Sequence, residues 1–418
     1  MSRTIKHYDV IVIGGGPSGM MAAGCARGRG KTVLLLEKNK ELGKKLSITG
    51  GGRCNITNAE ENVREFLSHF GGGAKFLHSS FSQFGVKETF EFFEKQGLPL
   101  VVQAKKRAFP KSQKAPDVTK TMKRFASGSG STISTGVRVK GFILEDGVIK
   151  GVKTTEGNIH ADTFVLATGG VSHKVTGASG EGVLWLKKLG HTTHDPNPDI
   201  VPLKVEEKWV KKLSGTSLSF MKITFGVDRA KKAGRFSRVG KILFTHFGIS
   251  GPLILNSAHE VKKLLTDGPV NAVIDMYPDT ELGTLRNRIL ELFNINKNKM
   301  LKNILSEIVP DGMSDTVLSL LPQELSERKV HSVGKSERHA LADILKAIPL
   351  TVTGTMGYDW AVVSDGGVDL TEVDTKTMRS KIYKNLFLTG DVLHISRPSG
   401  GYSLQLCWTT GWVAGNSV

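Results

Sequence analysis

The sequence predicts an α/β protein in which a doubly wound domain is interrupted by a β-rich insertion and a helical cap. Residues 8–37 run in the order apolar strand, glycine turn, helix and second apolar strand, which opens a doubly wound sheet. Residues 134–168 contain short strands joined by Asp-Gly and Glu-Gly turns. From about residue 196 the chain alternates as β-strands do, and residues 280–347 then show helical apolar spacing.

The length of the chain supports more than one domain. At 418 residues and 45.3 kDa it is larger than one ordinary hydrophobic core. Changes of pattern set the expected limits. They are 1–195 for the first part of the doubly wound domain, 196–279 for the first part of the insertion, 280–332 for the helical cap, 333–356 for the return of the insertion, and 357–418 for the rest of the doubly wound domain.

The three cysteines indicate a reducing compartment. Cys25, Cys54 and Cys407 are widely spaced, and neither a CxxC pair nor a histidine cluster at metal spacing accompanies them, so no metal site is predicted. Residues 1–9 lack the apolar core of a signal peptide. No stretch approaches the roughly 18 uninterrupted apolar residues of a membrane span. We therefore expect a cytoplasmic protein without a membrane segment.

The chain is strongly basic, with a formal net charge of +18 and a pI of about 9.7. Two segments concentrate the charge: residues 103–124 carry eight basic residues against one acid, and residues 204–241 carry eleven against three. Neither segment interleaves aromatic residues as base-stacking surfaces do, and neither contains an RNA-binding signature. A nucleic-acid partner is therefore not expected, although it stays open as an alternative.

The glycine turn after the first strand has the spacing of a dinucleotide-binding loop. In GGGPSG at residues 14–19, the three spaced glycines provide the turn, bare backbone beside a diphosphate, and close packing of helix on strand. The start of that helix attracts the diphosphate. Glu37 ends the second strand, where a carboxylate accepts hydrogen bonds from both ribose hydroxyls, and Lys38 follows it. An acid here favours FAD or NAD over NADP.

Two further segments favour FAD. Residues 42–58 contain LGKKL and TGGGRCNITN, in which three consecutive glycines weaken any helix or strand but let a flat ring or a diphosphate lie on bare backbone. Lys44, Lys45 and Arg53 are available to balance its charge. Near the C terminus a strand ends in TGD at residues 389–391, and GGYSLQ begins the last helix. A carboxylate and a helix N terminus are therefore expected beside the flavin.

These motifs occur together, and in order, along nearly the whole chain. The chain resembles the YhiN/BaiN-like flavoproteins, which include aminoacetone-oxidase-like members, in GGGPSGMMAA, GKKLSITGGGRCNITN, KRAFPKSQKA, ATGG, LFTHFGISGP and LTGDVL with GGYSLQ. The resemblance implies a glutathione-reductase-like FAD-binding Rossmann domain with an inserted β-barrel-like domain and a small helical cap. It also implies an NAD(P)/FAD-dependent oxidoreductase. The FAD is expected to be non-covalent, because no attachment motif is present.

The resemblance also implies individual cofactor contacts. They are Gly14, Gly16, Ser18, Gly19, Glu37, Lys44, Lys45, Gly51, Gly52, Arg53, Cys54, Asn55, Asn58, Val139, Ala167, Thr168, Gly169, Gly390, Asp391, Gly401 and Tyr402, with Pro17, Lys38 and Ser403 in the same motifs. The chain departs from the family at three places. Asp391 replaces the usual Glu and is expected to keep the ribityl contact, Ser403 replaces Asn, and His173-Lys174 replaces Tyr-Pro at the rim of the active site.

Three residues are candidates for catalysis, and packing also explains two of them. Cys54 follows the triple glycine, where a thiol is able to act beside the flavin, but a lone cysteine is more often a packing residue. His246 stands on a β segment between phenylalanines, which also suits a corner histidine. His394 follows Asp391 by three residues, on a loop expected to face the flavin. The sequence assigns none of the three as the catalytic residue.

The expected function is hydride exchange between flavin N5 and a small organic substrate or NAD(P)H. No second dinucleotide-binding loop follows a strand, so NAD(P)H is expected to visit the flavin transiently. Two alternatives stay open. One is an amine oxidase that produces hydrogen peroxide, and the other is an RNA-associated flavoprotein. The sequence identifies neither the substrate nor the oligomeric state.

Overall fold

A computed structural model describes residues 7–227 and 234–418. They form two compact units, of which the first contains residues up to 199 and from 358 onwards, and the second contains residues 200–357. Residues 1–6 and 228–233, which belong to the N-terminal and basic segments considered above, lie outside the described residues. The finer domain limits given above stay predictions.

The helices and strands are numbered along the chain. As far as residue 199 they are β1 (His7–Ile13), α1 (Pro17–Gly28), β2 (Val33–Glu37), β3 (Thr57–Asn58), α2 (Val63–Ser68), α3 (Ala74–Gln83), α4 (Val86–Lys95), β4 (Leu100–Gln103), β5 (Arg107–Pro110), α5 (Ala115–Ala126), β6 (Ser131–Thr135), β7 (Val139–Glu145), β8 (Val148–Thr154), β9 (Gly157–Leu166), α6 (Glu181–Lys188) and β10 (Thr193–Pro198). In the second unit they are β11 (Leu203–Val205), α7 (Trp209–Lys212), β12 (Ser217–Gly226), β13 (Phe236–Thr245), β14 (Gly248–Ser250), α8 (Pro252–Leu264), β15 (Val270–Asp275), α9 (Leu282–Ile295), α10 (Leu301–Ile304), α11 (Ser314–Leu320), α12 (Gln323–Ser326), α13 (Lys335–Lys346) and β16 (Ile348–Thr355). The first unit then adds β17 (Ser364–Val368), β18 (Leu386–Leu388) and α14 (Tyr402–Ser417).

The first unit is built on a seven-stranded sheet in the order β6-β2-β1-β9-β8-β7, with β18 paired to β9 beside that path. Strands β6, β2, β1, β9 and β18 pair in parallel, whereas β7, β8 and β9 form an antiparallel meander. Every residue of β2 is buried, as expected for a parallel strand covered on both faces. The Rossmann-type domain and the meander predicted from the sequence are confirmed.

The last helix packs along the first because both carry small residues where they meet. A Cβ on Gly411 of α14 would lie 2.4 Å from the Ser18 carbonyl oxygen, and one on Gly415 would lie 2.4 Å from the Ala22 carbonyl oxygen. Only glycine permits this approach. The last helix that GGYSLQ is predicted to begin is confirmed.

The second unit contains a closed six-stranded barrel in the order β11-β14-β13-β12-β15-β16, with antiparallel neighbours throughout. Alternate residues along the strands are buried, for example Ile223 and Phe225 on β12 and Ala272 and Ile274 on β15. Alternation of this kind fills a small barrel with side chains. The β-barrel-like insertion is thus confirmed.

The helical part of the second unit extends beyond its predicted end at residue 332. Helix α13 continues to Lys346, and only β16 returns to the barrel. The Gly334 N–H donates to Glu337 Oε2 at 2.6 Å and so starts this helix. Leu341 and Leu345 are buried on one face of it. The helical spacing of the sequence, which runs to residue 347, therefore predicts this element better than the domain limit does.

Candidate cofactor site

A deep cavity opens in the first unit where β1, β2 and β9 end. It encloses about 1280 Å³ of empty space, its open mouth included. Ligands bind doubly wound sheets at this edge. The predicted residues on its wall are Gly14, Gly16, Pro17, Ser18, Glu37, Lys38, Lys44, Lys45, Val139, Ala167, Thr168, Gly169, Asp391 and Ser403.

The glycine loop shows the steric pattern that the sequence predicts. Gly14 has a φ of +108°, and a Cβ there would lie 2.4 Å from the Ala167 carbonyl oxygen. A Cβ on Gly19 would lie 1.9 Å from the Gly14 carbonyl oxygen, so this glycine allows α1 to pack closely. By contrast, a Cβ on Gly16 would meet no atom within 4 Å. Gly16 also provides no side-chain cap for α1, which leaves the first N–H groups of the helix available to an anion.

The Glu37 carboxylate is oriented by its own neighbours. Its Oε2 accepts from the Gly15 N–H at 2.8 Å, and its Oε1 accepts from the Asn39 N–H at 2.8 Å and from Asn39 Nδ2 at 2.7 Å. The residue is only 8% exposed, and it lines the cavity. The fixed carboxylate is therefore ready to accept hydrogen bonds from hydroxyl groups of a ligand.

Two cations near Glu37 share one acidic partner. Lys38 Nζ donates to Glu181 Oε2 at 3.0 Å and to Ser179 Oγ at 2.7 Å, and Arg138 also pairs with Glu181. Burial raises the pKa of Glu181, but the hydrogen bonds from Arg138, Lys38 and Ser179 outweigh burial and lower this pKa to about 2. Glu181 is therefore ionised at neutral pH and engages both cations.

Arg397, which sequence reasoning missed, contacts two residues of the cavity wall. Arg397 is buried, pairs with Asp391, and donates from Nε to Ser403 Oγ at 3.1 Å. Lys45 donates from Nζ to Ser172 Oγ. Burial lowers the pKa of Lys45, and Asp391 partly opposes this effect. The only signal for Arg397 in the sequence is its place in RPSGGY, just before the last helix.

The other predicted contacts lie outside the cavity wall, and their role as cofactor contacts stays a prediction. Gly390 and Gly401 allow close packing, since a Cβ on Gly401 would lie 2.3 Å from the Thr57 carbonyl carbon. The Tyr402 ring lies 4.9 Å from the Phe66 ring in an aromatic cluster. The full set is Gly19, Gly51, Gly52, Arg53, Cys54, Asn55, Asn58, Gly390, Gly401 and Tyr402.

The cavity wall also contains residues that the sequence did not single out. Most of them are small or apolar side chains whose position depends on distant segments meeting in the fold. They are Ile13, Gly15, Leu36, Asn39, Gly43, Leu46, Thr49, Val137, Arg138, Gly170, Thr176, Gly177, Ala178, Ser179, Glu181, Trp185, Val362, Val363, Leu404 and Cys407.

The three catalytic candidates have different surroundings. Cys54 is fully buried, and burial raises the pKa of its thiol to about 12, which favours the packing interpretation. His246 belongs to the second unit and is exposed at the turn between β13 and β14, so its expected place on a β segment is corrected. His394 is not among the residues that line the cavity, and its Nδ1 accepts a hydrogen bond from the Gly366 N–H at 3.1 Å. Its ring stacks on that of His194, with 4.1 Å between the ring centres.

The residues of the cavity fit a dinucleotide cofactor. Thr168 Oγ1 is buried at the wall and makes no hydrogen bond with any described residue, so it has the capacity to contact a ligand. The space beside Gly16, the uncapped start of α1 and the oriented Glu37 carboxylate complete the features that a diphosphate and a ribose require.

Comparison with known proteins decides the family. The family described as the HI0933-like protein Rossmann domain matches residues 8–417. The chain belongs to this family. The resemblance to YhiN/BaiN-like flavoproteins is thereby confirmed, and the chain is an FAD-dependent oxidoreductase with a Rossmann-type FAD-binding unit.

Relatives match the chain along its length. It is 31% identical to the 3-dehydro-bile acid delta(4,6)-reductase of Clostridium scindens, over 97% of this chain and 98% of the relative. It is 25% identical to the ribosomal RNA dihydrouridine synthase of Escherichia coli, over 99% and 98% respectively. The solved structure of 3-ketosteroid-delta4-(5alpha)-dehydrogenase from Rhodococcus jostii RHA1 shares the fold, with a TM-score of 0.54 and 14% identity, over 100% of this chain and 98% of that one.

Within the two described ranges, no helix combines the length and the apolar character that a bilayer crossing requires.

Proposed function

We propose that this FAD-dependent oxidoreductase reduces a carbon–carbon double bond conjugated to a carbonyl group, with NAD(P)H as the hydride source. The observation that carries the proposal is the agreement between two full-length relatives, one named a delta(4,6)-reductase of a 3-dehydro-bile acid and the other a dihydrouridine synthase. Both names denote saturation of a ring double bond. A steroid enone and a uracil ring both conjugate that bond to a carbonyl, and this chemistry is the shared element.

The residues of the first unit divide the work of holding the cofactor. The uncapped start of α1 beside Gly16 would bind the diphosphate, and Glu37 would bind the ribose. Asp391 and Lys45, which also line the cavity, would contact another part of the cofactor. When bound, FAD supplies reversible hydride transfer at its N5 atom.

Hydride addition to the double bond places negative charge on the carbonyl oxygen, and His394 is the proposed hydrogen-bond donor to that oxygen. Water supplies the proton for the carbon next to the carbonyl. Because the Gly366 N–H donates to His394 Nδ1 at 3.1 Å, the neutral ring carries its proton on Nε2. Burial lowers the pKa of His394 and His194 lowers it further, while Asp365 and Asp369 oppose both effects. The ring is therefore neutral at pH 7 and carries an Nε2–H that is able to donate this hydrogen bond.

The test is anaerobic stopped-flow spectroscopy of the FAD-loaded protein. NADH or NADPH is added first, and the reduced protein is then mixed with a steroid enone or with a uridine-containing RNA oligonucleotide. We expect one nicotinamide to bleach the flavin absorbance and one acceptor to restore it with formation of a saturated product. Failure of both nicotinamides to bleach the flavin would contradict the proposal.

The same experiment tests the amine-oxidase alternative, for which none of the relatives described above provides support. Bleaching by an amine, followed by reoxidation with oxygen and release of hydrogen peroxide, would favour it over the proposed reduction.

RNA is the second candidate substrate, and the charge of the chain favours it. The net charge is +18, and within the basic segment 103–124 the side chains of Lys105, Lys111, Lys114 and Lys120 are exposed. Clustered exposed cations of this kind bind a phosphate backbone. The expectation that nucleic acid is not a partner has no support, because the Escherichia coli relative is named for ribosomal RNA.

A further inference from the structure

The loop after the triple glycine holds one arginine in a fixed position outside the cavity wall. Arg53 Nη1 donates to Gln103 Oε1 at 3.2 Å and to Gln113 Oε1 at 3.4 Å, and the guanidinium carbon lies 4.5 Å from the centre of the Phe109 ring. Gln103 Nε2 donates to Gln113 Oε1 at 3.0 Å, which ties the two amides together. Two neutral amides and an aromatic ring therefore orient the guanidinium without neutralising it.

Arg53 forms no ion pair with an acidic residue in the described part of the chain. Its only side-chain hydrogen bonds there use Nη1, so Nε and Nη2 are left for another acceptor. A guanidinium stays charged at every working pH and presents its donors as a planar fork. Carboxylates and phosphates are the acceptors that match this fork.

The backbone around Arg53 is strained. Four residues have φ values in the left-handed region, which residues other than glycine rarely adopt: Cys54 (60°), Lys105 (61°), Lys106 (55°) and Gln113 (57°). Gln113 contacts Arg53 directly, and Lys105 and Lys106 follow Gln103 in the chain. Conformations of this kind persist where a binding site needs them.

The loop connects Arg53 to the cavity. The Cys54 N–H donates to the Thr49 carbonyl oxygen at 3.0 Å and closes the loop, and Thr49 lies on the cavity wall. A Cβ on Gly51 or Gly52 would meet no atom within 4 Å, so the backbone on this side of the loop is open. The loop that carries Arg53 therefore also forms part of the cavity wall.

We infer that Arg53 binds an oxyanion of the substrate, a carboxylate or a phosphate, with Gln103 and Gln113 as positioning residues. The inference rests on the proposed function in one respect, since the anion belongs to the substrate of that reaction. The exposed Lys105, Lys111 and Lys114 add positive potential around the site and attract an anionic substrate.

The test uses inorganic phosphate as the probe and the FAD-loaded protein, so that the cofactor fills its own diphosphate site. Phosphate binding is measured from the broadening of its ³¹P resonance at constant ionic strength. We compare wild type, Arg53→Gln and Arg29→Gln, the last of which removes an exposed arginine on the far end of α1. We expect wild type and Arg29→Gln to bind phosphate alike, and Arg53→Gln to lose at least about tenfold in affinity.

Two further variants separate this role from a structural one. Gln103→Ala leaves the guanidinium charge of Arg53 in place but removes one of the hydrogen bonds that orient it. Arg53→Lys keeps a positive charge but lacks the planar fork of donors. Both are expected to weaken phosphate binding, and Gln103→Ala is expected to leave FAD content and melting temperature as in wild type. Equal phosphate affinity in wild type and Arg53→Gln, or no measurable binding to wild type, overturns the inference. If Arg53→Gln fails to retain FAD, the inference is overturned instead by a wild-type phosphate affinity in both Arg53→Lys and Gln103→Ala.

A fluorescein-labelled uridine oligonucleotide distinguishes the two sources of the oxyanion. If phosphate competes with the oligonucleotide for wild type but not for Arg53→Gln, the oxyanion is a nucleic-acid phosphate. If the oligonucleotide does not bind while phosphate does, the source is a small acid. Phosphate binding at Arg53 without any reduction of a double bond would contradict only the proposed function.

Discussion

Glu37 is held at 2.8 Å by the backbone N–H groups of Gly15 and Asn39, so its carboxylate is oriented before any ligand arrives. We expect Glu37→Gln to weaken FAD binding by about 1 to 3 kcal/mol, because an amide nitrogen cannot accept a hydrogen bond from a ribose hydroxyl and would face one of these N–H donors. Titration of the apoprotein with FAD, followed by flavin fluorescence, measures the change. Glu41→Gln, which alters an exposed acid nearby, is the control, and equal affinities of the two variants would place the ribose elsewhere.

His394 is the proposed hydrogen-bond donor to the carbonyl oxygen of the unsaturated acceptor. We expect His394→Leu to slow reoxidation of the reduced protein by the unsaturated acceptor by about 10² to 10³, the usual contribution of one hydrogen-bond donor to a developing oxyanion, and to leave reduction by the nicotinamide nearly unchanged. Separate stopped-flow measurements of the two half-reactions test this split. His78→Gln removes an exposed histidine of α3 and serves as the control. A loss confined to the reductive half-reaction would assign His394 a different role.

Asp369 makes the stability of the first unit depend on pH. Hydrogen bonds from Thr371 and His194 lower the pKa of Asp369 from 3.8 to about 2. A carboxylate whose pKa is lower in the folded state stabilises the protein above its unfolded pKa, and this contribution is lost as the pH falls toward 2. We expect Asp369→Asn to reduce stability at pH 7 and to differ less from wild type as the pH is lowered from 5 to 2. Urea unfolding midpoints of the two proteins across this pH range measure the difference in stability. A difference that does not vary with pH would contradict the prediction.

At the scale of elements, the contact between α1 and α14 depends on glycine. A Cβ on Gly411 would lie 2.4 Å from a backbone oxygen that has little freedom to move. We expect Gly411→Ala to lower the free energy of unfolding by about 1 to 3 kcal/mol through overpacking. Gly28→Ala provides the matched control, since a Cβ there meets nothing within 4 Å and alanine favours a helix. Thermal unfolding of the FAD-loaded proteins compares the two, and equal melting temperatures would show that the helices separate readily.

The elements that the sequence predicted well are those determined by local pattern. The segment from β1 to β2 combines strand, glycine turn, helix and acid within 31 residues, from His7 to Glu37, and the barrel strands alternate visibly in the sequence. The features it missed depend on distant segments. Arg397 becomes part of the site only because it contacts Asp391 and Ser403. Arg53 is oriented by Gln103 at the end of β4 and by Gln113 in the loop after β5. Neither pairing leaves a periodic or local signature.

At the scale of the whole molecule, the positive charge predicts how an RNA substrate would bind. Each phosphate contacted by a lysine releases a counterion, so affinity falls as salt rises. We expect binding of a uridine oligonucleotide to weaken at least about tenfold between 50 and 200 mM salt, and the double variant Lys111→Gln/Lys114→Gln to reduce the slope of log K against log salt by about 1 to 2. Fluorescence anisotropy measures both effects. Lys384→Gln, at another exposed site, is the control, and binding that does not depend on salt would exclude a backbone contact.

The insertion of one unit within the other has a consequence for synthesis on the ribosome. The second unit is a continuous segment, residues 200–357, and is able to fold as soon as it has left the exit tunnel. The first unit has to wait, because β18 pairs with β9 and α14 covers α1, and both late elements are translated after the entire second unit. Until then the nascent chain exposes the apolar surface of α1 and an open strand edge on β9, as a chaperone substrate does. The cavity wall is completed only at this stage, since Asp391 and Ser403 belong to the same late segment.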